Sequence, residues 1–175
     1  MDKITEKLGE MRVDVMFGKK KHFNAADRNE KCHHWIGMPA IIINIITASI
    51  IFYIIVENSG IAMKYLSLIL VLISTILSFV QMYFNFPRQV IGHKRVANKY
   101  LALMKKIERI QIYISNGYIS GDEIMENMEK TANEIEDINR EADLYHTNNE
   151  DYEKARIGID NGEEYYTEKE LNNSN

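Results

Sequence analysis

Two uncharged apolar runs lie close together in this chain, Trp35 to Val56 and Tyr65 to Phe86, each 22 residues long. At about 1.5 Å per helical residue each would extend about 33 Å, just over the hydrocarbon thickness of a bilayer. Inside lipid every backbone polar group has to be satisfied within the segment, so two such runs joined by a short loop must fold as helices. The sequence therefore predicts an all-α membrane protein: a two-helix transmembrane hairpin, preceded by an amphipathic helix and followed by a cytoplasmic helical pair. The first run begins only after 34 residues rich in charge, which argues against a signal peptide, whose apolar stretch would come earlier.

The formal net charge of −4 averages two unlike halves. From Asp122 onward there are 17 acidic residues against 5 basic ones, which leaves 8 acids and 16 bases before that point. The membrane-proximal part thus carries +8 and the remainder −12. Bases beside the spans suit contact with anionic headgroups of a lipid bilayer rather than with nucleic acid, since they form no separate face. Lys19, Lys20, Lys21, Arg28 and Lys31 precede the first span, and Arg88, Lys94, Arg95 and Lys99 follow the second. The loop between carries only Lys64, so the positive-inside rule places both termini in the cytoplasm. Asn58-Ser59-Gly60 reads as a turn. Pro39 falls early in the first span, where its missing N–H costs little, and Pro87 marks the end or bend of the second.

Outside the spans, Ile4, Leu8, Met11 and Val15 recur at helical spacing, which predicts a short amphipathic helix ending before Gly18. Val96, Tyr100, Leu103, Ile107, Ile110 and Ile114 form a heptad seam. Asn116-Gly117 breaks it, and Ser120 with Glu123 offers a capping box. A second seam follows: Ile124, Met128, Thr131, Ile135, Ile138, Ala142 and Tyr145. The segments are thus residues 1–34 (amphipathic and basic), 35–56 (first span), 57–64 (external loop), 65–86 (second span), 87–146 (helical pair) and 147–175. The last is rich in Asn, Glu and Tyr and is expected to be an acidic, weakly ordered tail.

Polar residues within a span carry information, because each needs a partner or water. Ser67, Ser74, Ser78 and Gln81 share one face of the second span, and Asn44 and Thr47 one face of the first. In an antiparallel hairpin Asn44 and Gln81 fall at the same end and are within reach of each other. Two readings stand: helix–helix contact through small and amide side chains, or a pore lining built from several hairpins. Cys32, His33 and His34 are adjacent, but consecutive helical residues point about 100° apart, a poor chelating set. His22 and His93 lie elsewhere in the sequence. No phosphate-binding glycine loop, nucleophile elbow or catalytic triad is legible, so neither an enzyme nor a cofactor is expected.

The stretch Lys20-Lys21-His22-Phe23-Asn24-Ala25-Ala26-Asp27-Arg28, running into Trp35-Ile36-Gly37-Met38-Pro39, and the segment His93-Lys94-Arg95-Val96-Ala97-Asn98-Lys99-Tyr100 with Lys105-Lys106-Ile107-Glu108-Arg109, resemble the SLATT proteins. These are the SMODS- and SLOG-associating two-transmembrane effectors, and the resemblance covers about Lys19 to Ile114. It implies a bacterial conflict-system effector of the inner membrane, in which His22, Phe23, Asn24, Arg28 and His93 are motif residues. It also implies a partner that makes or senses a nucleotide second messenger, and permeabilisation of the membrane by a homo-oligomer on infection. The alternative is a membrane-anchored scaffold that recruits a cytoplasmic partner without conducting.

Overall fold

The computed structural model describes residues 2–57 and 60–165, and among these there are five helices and no strand. They are α1 (Asp2–Glu57), α2 (Ile61–Phe84), α3 (Phe86–Ser115), α4 (Gly121–Ala142) and α5 (Asn149–Asp160). The chain divides into two compact units: residues 27–90, which hold both apolar runs, and residues 1–26 with 91–175. Asn58 and Ser59 of the expected turn, and the tail beyond residue 165, including Tyr166, lie outside the described residues.

The apolar runs do not bury themselves. In the most apolar stretch of each span only 11% of the residues are buried. Side chains such as Phe52, Ile76 and Met82 stand largely exposed, at 70%, 62% and 72%. A core helix of a water-soluble domain would hide these groups, since each is worth about 1.5–3 kcal/mol when removed from water. Exposed in this number along two adjacent helices, they require lipid as their solvent, and the protein is a membrane protein.

The first helix runs further than its sequence pattern implied. It passes through Gly18 without a break, because Gly18 is a packing position rather than a stop: a Cβ there would lie 2.9 Å from the ring of Tyr100. Pro39 likewise sits in the helix interior, not in a first turn. The ring removes the N–H that would serve the carbonyl of Trp35. The break between α2 and α3 falls at Asn85, whose left-handed φ of 45° is tolerated better by Asn than by most residues. Its N–H closes on the carbonyl of Gln81, and Pro87 enters α3 one residue after that helix begins.

The second unit packs three helical segments around one core. Leu8, Met11, Val15 and Met16 of α1 meet Val96, Tyr100, Leu103, Met104, Ile107 and Ile110 of α3, with Ile138 of α4. Ile124 and Thr131 of α4 are also buried, while Met128, Ile135, Ala142 and Tyr145 pack partly buried against the core. Both seams thus point inward, and the N-terminal segment joins them. The capping box at Ser120 forms in full: the Ser120 hydroxyl accepts from the Glu123 N–H, and the Glu123 carboxylate accepts from the Ser120 N–H at 2.8 Å. Arg12 ties α1 to Glu108 of α3 at 2.7 Å.

Weak order was the expectation for the segment after Thr147, but residues 149–160 form α5. Asn148 caps it reciprocally with Asp151, each side chain accepting from the other's N–H at 2.9 Å. Tyr152 stacks on Phe17 at 5.7 Å, and the small residues Ala155 and Gly158 are buried. Beyond the helix, Glu163 pairs with Lys20 and Glu164 with Lys19. The opening of the acidic tail therefore folds onto the chain's own basic segment, an arrangement that their opposite charges favour.

Candidate functional site: the hairpin seam and a buried histidine pair

Within the hairpin, burial repeats at alternating spacings of three and four. On α1 the covered positions include Gly37, Ala40, Ile43, Thr47, Ile50 and Ile54, with Ile36 beside them; on α2 they include Ser67, Leu70, Ser74, Leu77 and Gln81, with Val80 beside them. Threes and fours of this kind are the spacing of a helix–helix seam. Small residues on the seam let the backbones approach, as they do between membrane helices generally. Thr47 and Ser74 are the most buried polar groups of the spans, at 4% and 6% exposure. Their hydroxyls donate to carbonyls of their own helix, Thr47 to Ile43 at 2.7 Å and Ser74 to Val71 at 3.0 Å. Ser67 does the same with Lys64 at 2.9 Å. Each is thereby satisfied without water or a partner helix.

The six polar positions picked out by sequence periodicity therefore divide. Thr47, Ser67, Ser74 and Gln81 belong to the seam, whereas Asn44 and Ser78 stand exposed beside it. Gln81 crosses to α1, where its Nε2 donates to the carbonyl of His33 at 3.4 Å. Gly37 makes room for it, since a Cβ there would collide with that nitrogen. Asn44 and Gln81 do not bond to each other, but both line a cavity of about 220 Å³ with Ser78, Gly37, His33 and His34. The Nδ1 of His33 is buried without a hydrogen-bond partner among the described residues. No hydrogen bond to the Asn44 carboxamide occurs among them either.

The helical unit contains a second polar cluster. His22 of α1 and His93 of α3, each 1% exposed, place their Nδ1 atoms 3.0 Å apart. A hydrogen bond of this kind needs one Nδ1 to donate and the other to accept, so the accepting ring must be neutral and carry its proton on Nε2. The ring of Tyr100 lies 6.0 Å from His22, and that of Tyr145 lies 5.8 Å from His93. Burial, then the neighbouring His93 and Lys21, push the His22 pKa from 6.5 down to about 4, against an opposing pull from Asp151. Burial likewise raises the Tyr100 phenol, which donates to Asn139 at 2.6 Å. Sequence reasoning did not join the two histidines, although a signal was present. The spacing of Ile4, Leu8, Met11 and Val15 continues through Gly18, His22, Ala25 and Asn29, and that of Val96 and Tyr100 extends back to His93.

Other motif residues lie near this cluster in sequence. Ala25 and Ala26 are fully buried, Phe23 is half-buried, and half-buried Asn24 donates to the backbone carbonyl of Asp151 at 3.0 Å. Arg28 is half-buried in the hairpin unit. Within the quoted strings His22, Ala25, Ala26, His93, Val96, Ala97 and Tyr100 are buried, whereas Trp35 and Met38 stand exposed. Among the described residues no group of three or more His, Cys, Asp or Glu side chains could hold a metal ion.

A protein-family model described as "SMODS and SLOG-associating 2TM effector domain family 4" matches residues 4–170. No curated protein and no solved structure matches the chain.

Proposed function

The chain belongs to the SMODS and SLOG-associating 2TM effector domain family 4, and from that premise we propose that it is the membrane effector of a bacterial conflict system. Copies assemble in the inner membrane with both termini in the cytoplasm. A nucleotide-second-messenger synthase or nucleotide sensor then shifts the assembly to a state that permeabilises the membrane and kills the cell. The observation that carries this reading is the pair Asn44 and Ser78, exposed on the flank of a hairpin whose other exposed side chains are largely apolar. A carboxamide near the middle of a span is costly in hydrocarbon and gains by meeting water or another polar group. Oligomers that turn these flanks toward a common centre supply both. The helical unit, built on α3 as it leaves the second span, is the part able to receive a signal, through differential affinity of the partner for two arrangements.

One observation favours the second reading, a non-conducting scaffold: most of the polar stripe is consumed within the hairpin seam. The two separate in bacteria expressing the protein with its genomic neighbours, with membrane potential followed by a dye. The effector reading expects depolarisation that an Asn44→Leu, Ser78→Leu double variant abolishes without loss of membrane insertion. A scaffold retains its activity in that variant and never depolarises the cell.

A further inference from the structure

The two halves of the hairpin's Asn44–Ser78 flank differ in chemistry. Toward the end away from the loop the flank is polar: Asn44, Ser78, Gln81 and the two histidines His33 and His34 open onto one cavity. Toward the loop the same flank is carried, seven residues further on each helix, by Ile51 and Val71. A seven-residue step returns to the same side of a helix to within about 20°. Both are exposed, at 40% and 39%. The hydroxyls in this half do not wet it, because Ser49 donates to the Ile45 carbonyl and Thr75 to that of Val71. Ser67 is turned inward on its own helix in the same way.

We propose that a second copy of this chain docks along the flank carrying Asn44 and Ser78, and that Ile51 and Val71 close the loop-side half of that flank as a hydrophobic gate. The occupant is another copy because the flank is self-complementary. An Asn side chain both donates and accepts, and an identical chain brings an identical carboxamide to the same depth. The flank is also incomplete in one chain, because the exposed Asn44 carboxamide lacks a hydrogen-bond partner among the described residues. Apolar side chains facing one another across a narrow path expel water, which blocks ions without any steric plug, while the polar half stays wet. Opening then requires only that the copies part enough for the loop-side half to hydrate.

The gate rests on the pore reading, and the test separates them. The full chain, with Cys32→Ser, is reconstituted in phosphatidylglycerol-containing vesicles loaded with a potassium-sensitive dye. A single cysteine at position 44 should crosslink copies under mild oxidation, and one at Ile76 on the exposed apolar surface should not. Equal crosslinking at both positions, or none at position 44, overturns the docking flank. Ile51→Asn and Val71→Ser should raise basal ion leak at least tenfold over the parent, and Asn44→Leu should return the Val71→Ser leak to the parent level. Val71→Ser vesicles as tight as the parent, from a protein that does conduct when triggered in cells, overturn the gate and leave the pore standing. A protein that conducts in no form sinks both.

Discussion

Acid should weaken the helical unit through His22, and the size of the effect follows from its surroundings. Buried against His93 and near Lys21, His22 binds a proton in the folded state only below about pH 4, against 6.5 in the unfolded chain. Between those values the unfolded state binds more protons than the native one, so stability falls as the pH falls. Neutral His22 contributes in full above pH 6.5 and loses its advantage progressively down to about pH 4. At about 1.4 kcal/mol per pKa unit the whole span is worth about 3 kcal/mol, of which about 2.5 kcal/mol is gone by about pH 4.5. Protonation also places a charge in a site with 1% exposure, beside Lys21. The measurement is denaturant unfolding in detergent micelles at a series of pH values from about 7.5 to about 4.5, for the parent and His22→Gln. The variant keeps a polar side chain but does not titrate, so its other groups provide the baseline. The parent should lose about 2.5 kcal/mol more than the variant over that range. Equal losses in the two proteins would mean that His22 ionises as freely folded as unfolded, and the linkage would fail.

Three further outcomes test the packing. Gly18→Leu drives a side chain into the ring of Tyr100 and should cost about 1–3 kcal/mol, read as a lower thermal midpoint. Ser120→Ala removes the hydroxyl of the α4 capping box and should cost about 1 kcal/mol, with Ser120→Asp restoring most of it. Asn148→Ala uncaps α5. Amide exchange at residues 150–153 should then quicken about fivefold, in line with a loss of about 1 kcal/mol, while exchange at α3 core amides such as that of Ile107 stays unchanged.

Much of the helical unit was legible because its seams are written in Leu, Ile, Met and Val, where burial and helical period coincide. Reading stopped where the seam turned polar. Gly18 looked like a helix stop, and His22 and His93 looked unrelated, because neither type announces a core position. Only the approach of α3 shows that Gly18 admits Tyr100 and that the two histidines satisfy each other. The helix at 149–160 was hidden by composition: a segment rich in Asn, Glu and Tyr resembles a solvated tail until Asn148 and Asp151 are seen to cap it and Tyr152 to rest on Phe17. The polar stripe shows the same limit. Period places Ser67, Ser74, Ser78 and Gln81 on one face, but a face is wider than a contact line, and Ser78 falls off the seam while the other three lie on it.

That this chain crosses a membrane twice, and that its flanking segments are helical, follows from the residues alone. Length, missing charge and the need to satisfy every backbone group in lipid leave no other solution for residues 35–56 and 65–86. Tertiary structure alone decided which polar groups are used up in holding the chain together and which remain for something outside it. Whether a side chain meets a partner depends on the position of a second helix to within about an ångström, and that position is set by the packing of both surfaces at once. Thr47, Ser74 and the pair His22–His93 are closed inside, whereas Asn44 and Ser78 are left open.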